Sequence, residues 1–399
     1  MFKNFKLSFF LACKSIKRSN IGTTVLTIAI MSLIFVNLIF LPSIVEGIAE
    51  TIEQQTRDYM YGNILIEPKE DDFYIDNVDS LQKKINRLPG VLGTASRYMV
   101  GATFTHKDKF IGGTLHSASP ADEIIVTKYH EGMISGEYLS ESDTDEIIMG
   151  LDLTGEEDKE GDKADLGGVK VGDKIEVTFS NGVIKEYRLK GIFSVSKMGM
   201  DSFAFITEKE MESVLGSNNQ ASQILVKLNE LGTEKEFKKK FMELGIKEKI
   251  KTWEEKTAGM TEVVVSSFRI ITLISTIVSL IIAVVVIFVI IYINTIYKRK
   301  QIGILKAIGI DQRVIIRSYI LQALFYCFSG IIIGSILLWI LVSYLTTNPI
   351  SFPIGTIRPV IGTSLITQSI LSLLIVSLIA GFIPSWKTAR ESILKAIWG

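Results

Sequence analysis

The sequence predicts an α-helical membrane protein with four transmembrane helices and a mixed α/β extracytoplasmic domain inserted between helices 1 and 2. Three observations carry that prediction. The 399 residues hold 43 basic and 43 acidic side chains, yet mean hydropathy is positive at +0.33 while 22% of residues are charged. The charges are segregated: Ile21–Val45, Ile270–Ile296, Val314–Leu345 and Ile361–Ile383 contain only Arg317. Each run exceeds the roughly 20 residues needed to cross a hydrocarbon layer of about 30 Å, which excludes a soluble or fibrous protein. Finally, the short segments beside these runs are basic, at +5 for residues 1–20, +5 for 297–317 and +2 for 384–399, whereas residues 46–262 carry −14.

Positive charge beside a span marks the cytoplasmic side, so the elements are expected as follows. Residues 1–20 form a cytoplasmic amphipathic helix, with Phe2, Phe5, Phe9 and Ile16 among lysines, lying on the inner surface. Residues 21–45 are the first span. Gly47-Ile48-Ala49 has the small-x-small look of a cleavage site, but the apolar run is too long for a signal core, and a retained anchor is expected. Residues 46–262 form the outer domain, 263–296 the second span, 297–313 a cytoplasmic helix, 314–345 the third span, 346–360 an outer loop, 361–383 the fourth span and 384–399 a cytoplasmic tail. The destination is the cell (inner) membrane.

Within the outer domain, Tyr61–Glu67 reads as a strand, Ser80–Leu88 as a helix and Thr94–Phe104 as a strand. Gln223–Leu228, Glu234–Leu244 and Ile250–Trp253 repeat the order strand, helix, extended piece. Two such halves pack as one α/β layer, leaving about 130–210 as a β-rich lobe. There, Lys174–Phe179 and Val183–Leu189 flank the hairpin signal Ser180-Asn181-Gly182, and Phe203–Ile206 is a further strand. Cys13 and Cys327 fall outside this domain, which is therefore held by its core without disulfides.

No catalytic constellation stands out. Gly155–Asp165 resembles a calcium loop at its early positions, but Gly167 occupies the place of the closing Glu, so a solvated loop is expected and whether it binds a cation stays open. His106, His116 and His130 lack metal-ligand spacing, and no metal site is expected. The sequence contains neither GxSxG nor GxxxxGK[ST], so no cofactor is expected on this chain. The spans carry no charge at mid-depth, which argues against a polar substrate route. Gly330-x-x-x-Gly334 and Ser377-x-x-x-Gly381 permit close helix packing and are candidate seams between two copies.

The most specific segment is Tyr297–Ile310, YKRKQIGILKAIGI. Ile302, Leu305 and Ile308, with Ile304 beside them, recur at helical spacing, while Lys298, Arg299, Lys300 and Lys306 keep one side wet. A basic flank that only enforced topology would need neither this apolar face nor Gly303, Ala307 and Gly309, small enough for close backbone approach.

This segment resembles the (K/R)-R-x-E-I-G-I-L-(K/R)-A-x-G signature of MacB/FtsX-type ABC-transporter permeases, a family that includes lipoprotein-releasing permeases. Ser15–Ser19, Ser135–Leu139, Val171–Asp173, Leu189–Phe193, Ile383–Arg390 and Lys395-Ala396 agree in order, so the resemblance spans essentially the whole chain. Gln301 stands where the family usually has Glu, and Trp386 and Lys387 replace Ala-Arg type residues, which puts local partner contacts in doubt.

The resemblance implies a permease subunit coupled to a separate cytoplasmic ABC ATPase that binds ATP and Mg, and a second permease chain, identical or not. It carries the ATPase-docking role onto Lys298, Arg299, Lys300, Gln301, Ile302, Gly303, Ile304, Leu305, Lys306, Ala307, Ile308 and Gly309. Pro384, Arg390 and Lys395 form an expected second cytoplasmic contact. ATP-driven movement would serve export, extraction or mechanotransmission to an outer substrate, adaptor or hydrolase. The −14 charge disfavours nucleic acid. An ATP-independent membrane-anchored sensor or scaffold is the alternative; it accounts for the spans and outer domain but leaves the inner amphipathic helix without a purpose.

Overall fold

Residues 2–155, 165–195, 199–352 and 355–390 are described by the structure, a computed structural model; most of the acidic loop 155–165, and Lys395, lie outside them. The chain divides into two units, one of Met1–Ala49, Val264–Ile350 and Ile357–Gly399, the other of Glu50–Val263 and Ser351–Thr356.

In the first unit the uncharged runs are helical, and among the described residues four helices are long and apolar enough to cross a membrane. They lie within Ile21–Gln55, Trp253–Tyr297, Gln312–Thr347 and Thr363–Ala389. Their facing sides form one apolar core that joins Met31, Phe35 and Ile39 of the first helix to Ile287 and Ile291 of the second, Ala323 and Cys327 of the third, and Leu373 and Ala380 of the fourth. Ile270, Ile281, Ile332 and Ile375 are exposed on the outside of this bundle, as helices bathed in hydrocarbon require. Asn37 donates from the first span to Ser275 at 3.2 Å and Ser279 at 2.8 Å in the second.

The small residues of the third and fourth helices are used inside the chain. A Cβ added at Gly334 would come within 2.9 Å of Phe35 Cδ1 and Ser32 O, so the third helix seats closely on the first. At Gly381 it would come within 2.7 Å of Ala323 Cβ, which brings the fourth onto the third, and Ser377 is buried with its hydroxyl donating to Leu373 O at 2.6 Å. The close helix packing expected at Gly330, Gly334, Ser377 and Gly381 is present, and at the three glycines it is made with neighbouring helices of the same chain.

Among the described residues the second unit contains two large sheets and a two-stranded pair, Ile75–Asp76 with Gln220–Ala221. The first is antiparallel, in the order Lys249–Thr252, Ile64–Glu67, Gln223–Leu228, Val91–Arg97. Ile64, Ile66, Ile224 and Val226 meet Ile85 of helix Val78–Asn86 and Phe237 and Phe241 of helix Glu234–Glu243. Leu65 and Leu225 turn to the opposite face, against Ala95 and Val126. Burial on both faces explains why Gln223–Leu228 reads almost continuously apolar instead of alternating.

The second sheet has seven strands in the order Met133–Gly136, Ile184–Phe193, Glu146–Gly150, Phe203–Thr207, Lys109–Ala118, Met99–His106, Lys174–Phe179; the last also pairs with Ile184–Phe193, closing six strands into a ring. Gly182, at φ +82°, and Asn181, whose side chain accepts from Val183 N at 3.0 Å, form the turn expected between two of these strands. The β lobe is wider than the 130–210 expected, because Met99–His106 and Lys109–Ala118 belong to it. Thr94–Phe104 is accordingly two strands, broken at Tyr98 where the chain leaves one sheet for the other.

Arg97, at that crossing, is fully buried. Its guanidinium pairs with Glu123 and donates to Tyr59 O at 3.1 Å. His116 is also buried, between the rings of Phe203 and Phe205; burial, and secondarily Arg97, holds it well below the ordinary imidazole range, so it is neutral.

Candidate functional site

The loop between the second and third spans folds as helix Arg299–Ala307. The chain bends at Lys298 without fully losing the helical bond pattern, since Lys298 N still bonds Asn294 O at 3.2 Å. The other end is a Schellman cap: Gly309 sits at φ +91°, its N–H bonds Lys306 O at 3.0 Å, and Ile310 N bonds Leu305 O at 3.0 Å. Asp311 then caps the third helix by accepting from Arg313 N at 2.9 Å. Gly309 is therefore required by this left-handed cap, and a Cβ there would meet nothing within 4 Å, so its role is conformational.

The helix has two apolar faces. Ile302 is 3% exposed and joins the core between the spans, and Gly303 is buried on the same side. Ile304 and Ile308 are 53% and 73% exposed, beside exposed Lys300, Gln301, Ala307 and Gly309. Leu305 is half-buried between the two. The expected docking face is thus corrected at Ile302 and Gly303, which are occupied within the chain. The outward apolar pair is Ile304 and Ile308.

Two lysines fix this helix to its surroundings. Lys306 Nζ donates to Ala389 O at 2.9 Å, at the end of the fourth helix. Lys298 Nζ donates to Ser15 O at 3.1 Å and Ser15 Oγ at 2.5 Å, on the N-terminal helix Phe2–Lys17. Ser15 in turn donates to Gln322 Oε1 at 3.0 Å, and Ser8 to Val314 O at 3.2 Å. Burial, then the nearby Arg18, holds the Lys298 ammonium below the usual lysine range.

The N-terminal helix was legible as basic and amphipathic, but its attachment was missed. Ser8, Ala12 and Ser15 recur at the four- and three-residue spacing of one helix face; the first two are buried and the third half-buried. That stripe lies against the third helix, while Phe5 and Phe9 remain more than half exposed. Of the second expected contact, Pro384 is buried within the bundle and unavailable to a partner. Arg390 is exposed and stacks over Trp386 at 4.3 Å. Among the described residues no group of three or more His, Cys, Asp or Glu side chains could hold a metal.

Comparison with known proteins places these elements. The family described as FtsX-like permease C-terminal matches residues 273–393, from the second helix through the loop to the end of the fourth. A putative hemin transport system permease protein HrtB of Staphylococcus haemolyticus (strain JCSC1435) is 26% identical over 273 residues, 67% of each chain. Among solved structures, the extracellular domain of the noncanonic ABC-type transporter YknZ from Gram-positive bacteria is similar over 47% of this chain and 97% of that one, at 12% identity and TM-score 0.34. The periplasmic region of MacB from Actinobacillus actinomycetemcomitans is similar over 52% and 97%, at 11% identity and TM-score 0.38.

Proposed function

We infer the function from one premise: this multi-pass membrane chain is an ABC-transporter permease subunit of the FtsX type, carrying the FtsX-like domain at residues 273–393. In this reading it couples ATP hydrolysis by a separate cytoplasmic ATPase to movement of the inserted domain. The observation that carries the reading is the outward pair Ile304 and Ile308 on a helix whose inner face, through Ile302, Lys298 and Lys306, is tied into the membrane bundle. Exposed apolar residues on a helix that also exposes Lys300 suit a partner groove with an acidic side chain at its rim, and a helix anchored on its reverse side transmits displacement instead of sliding.

The N-terminus, the 297–313 loop and the C-terminal tail face the cytoplasm, and residues 46–262 face outward, following the positive charge at the short segments. A second permease chain completes the transporter. Hemin, which the similar protein's name carries, is the first cargo to test; an adaptor or a cell-wall hydrolase driven by the inserted domain is the other use of the same motion. Reconstituting the full chain with its ATPase tests the reading. ATP turnover that changes when the permease is present supports it, and turnover indifferent to the permease contradicts it.

A further inference from the structure

The N-terminal helix, the loop helix and the start of the third span enclose a groove of about 560 Å³. Its polar wall presents three cations, Lys14, Arg18 and Lys298, and its apolar wall includes Leu11, Ile302 and Ile315. None of its lining residues is acidic. Among the described residues the three cations form no ion pair with a carboxylate; Lys14 lies over the ring of Phe10 and Lys298 bonds Ser15. Lys14, Arg18 and Lys298 thus line one groove with no acidic residue among its walls, and an anion is the partner this arrangement lacks.

Position decides which anion. Arg18 lies three residues before helix Ile21–Gln55, Lys298 directly follows helix Trp253–Tyr297, and Ile315 and Gln322 belong to the first turns of helix Gln312–Thr347. The groove therefore sits where hydrocarbon gives way to headgroups, with charge on one wall and aliphatic side chains on the other. Ile302 and Ile315 form the buried floor of the apolar wall, while half-buried Leu11 and exposed Ile304 stand at its open side; a free phosphate would use the cations and leave these two facing water, whereas a phospholipid satisfies both walls.

We propose that the groove formed by Lys14, Arg18 and Lys298 with Leu11, Ile302 and Ile315 binds an anionic phospholipid, its phosphate on the cations and the start of an acyl chain on the aliphatic wall. Bound there, the lipid bridges the N-terminal helix to the loop helix and reaches Ile304, which lines the groove and also belongs to the surface offered to the ATPase, so the two sites share that edge while Ile308 lies outside the groove. The groove itself follows from the cations and their depth, and its lipid occupancy is measurable with no ATPase present.

The full-length chain in nanodiscs, titrated with phosphatidylglycerol against a phosphatidylcholine background and read by native mass spectrometry of retained lipid, tests this. Lys14→Gln combined with Arg18→Gln is the main variant, because among the described residues Lys14 only lies over the Phe10 ring and neither side chain makes a hydrogen bond; Lys17→Gln, exposed and outside the groove, is the control. Thermal melting and size-exclusion profiles matching wild type establish that the variant folds. The expected result is about tenfold weaker retention of phosphatidylglycerol in the double variant, no change in the control, and recovery with Lys14→Arg and Arg18→Lys. Equal retention in wild type and double variant overturns the proposal, as does equal retention of phosphatidylcholine. Inorganic phosphate that binds as tightly as the lipid and displaces it would make this a soluble-anion site and overturn the lipid assignment. Protection of Lys298 from acylation by added ATPase, with no protection by phosphatidylglycerol, would assign the groove to the protein interface and overturn it equally.

Discussion

A Cβ built on Gly330 would lie 2.5 Å from the Cβ of Met31, so the third and first spans touch backbone to side chain at this level. The absent side chain is what lets the two helices approach. Gly330→Leu should force them apart and destabilise the bundle by about 1–3 kcal/mol. The check is the melting temperature of the detergent-solubilised chain, which should fall. An unchanged value would mean the spans do not pack here.

The buried pair of Arg97 and Glu123 sits where the chain crosses between the two sheets of the inserted domain. Removing one partner strands a charge, so Arg97→Met or Glu123→Leu alone should cost about 3–5 kcal/mol, and the two together less than their sum. Chemical denaturation of the full chain, followed by hydrogen exchange in strands Val91–Arg97 and Gln223–Leu228, measures both. Additive losses would show that the pair is not coupled.

Glu208 sets a pH dependence. Burial, then the carboxylates of Glu212, Asp79 and Asp122, push its carboxyl up to about 7 from an ordinary value of 4.5. At this position the folded chain keeps a proton that the unfolded chain releases, so the contribution of Glu208 to stability falls as pH rises between about 4.5 and about 7, while buried neutral His116 contributes with the opposite sign below the ordinary imidazole range. Because the side chain is partly open to solvent, the effect is on the order of 1–2 kcal/mol. Thermal melts of the full chain isolate this slope as the difference between wild type and Glu208→Gln, which should shift in favour of the variant as pH rises from about 4.5 to about 7. A variant with the same slope would assign it to another group.

Cys13 is exposed and Cys327 buried, which gives a test of orientation with the native thiols. A membrane-impermeant maleimide should leave intact cells' protein unlabelled and modify Cys13 alone in inverted vesicles. Labelling of Cys13 from outside would reverse the topology.

The spans were legible because charge is excluded from them over whole runs such as Ile270–Ile296, and no other environment tolerates so long an uncharged stretch. The turn at Asn181-Gly182 was legible because its backbone conformation selects those residues. The break at Tyr98 was hidden, since Thr94–Phe104 has strand-forming residues on both sides of the crossing and local preference says nothing about which sheet they join. The loop helix shows the same limit. Ile302, Ile304, Leu305 and Ile308 supply apolar residues on two faces, and only Ile315 and the rest of the bundle core, distant in sequence, determine that Ile302 is covered while Ile304 and Ile308 are not. Likewise Gly330-x-x-x-Gly334 announced a close approach but not that Met31 and Phe35 of the same chain were its object.

The central claim is that the outward face of helix Arg299–Ala307 grips the ATPase, and co-purification of tagged ATPase with Ile304→Asp, Ile308→Asp and Ile302→Asp variants tests it most directly. The first two should weaken association by about 2 kcal/mol each, roughly thirtyfold, in a chain that melts as wild type does. Ile302→Asp should instead lower the melting temperature, because it places a carboxylate in the bundle core. Full retention of the ATPase by folded Ile304→Asp and Ile308→Asp chains would contradict the account.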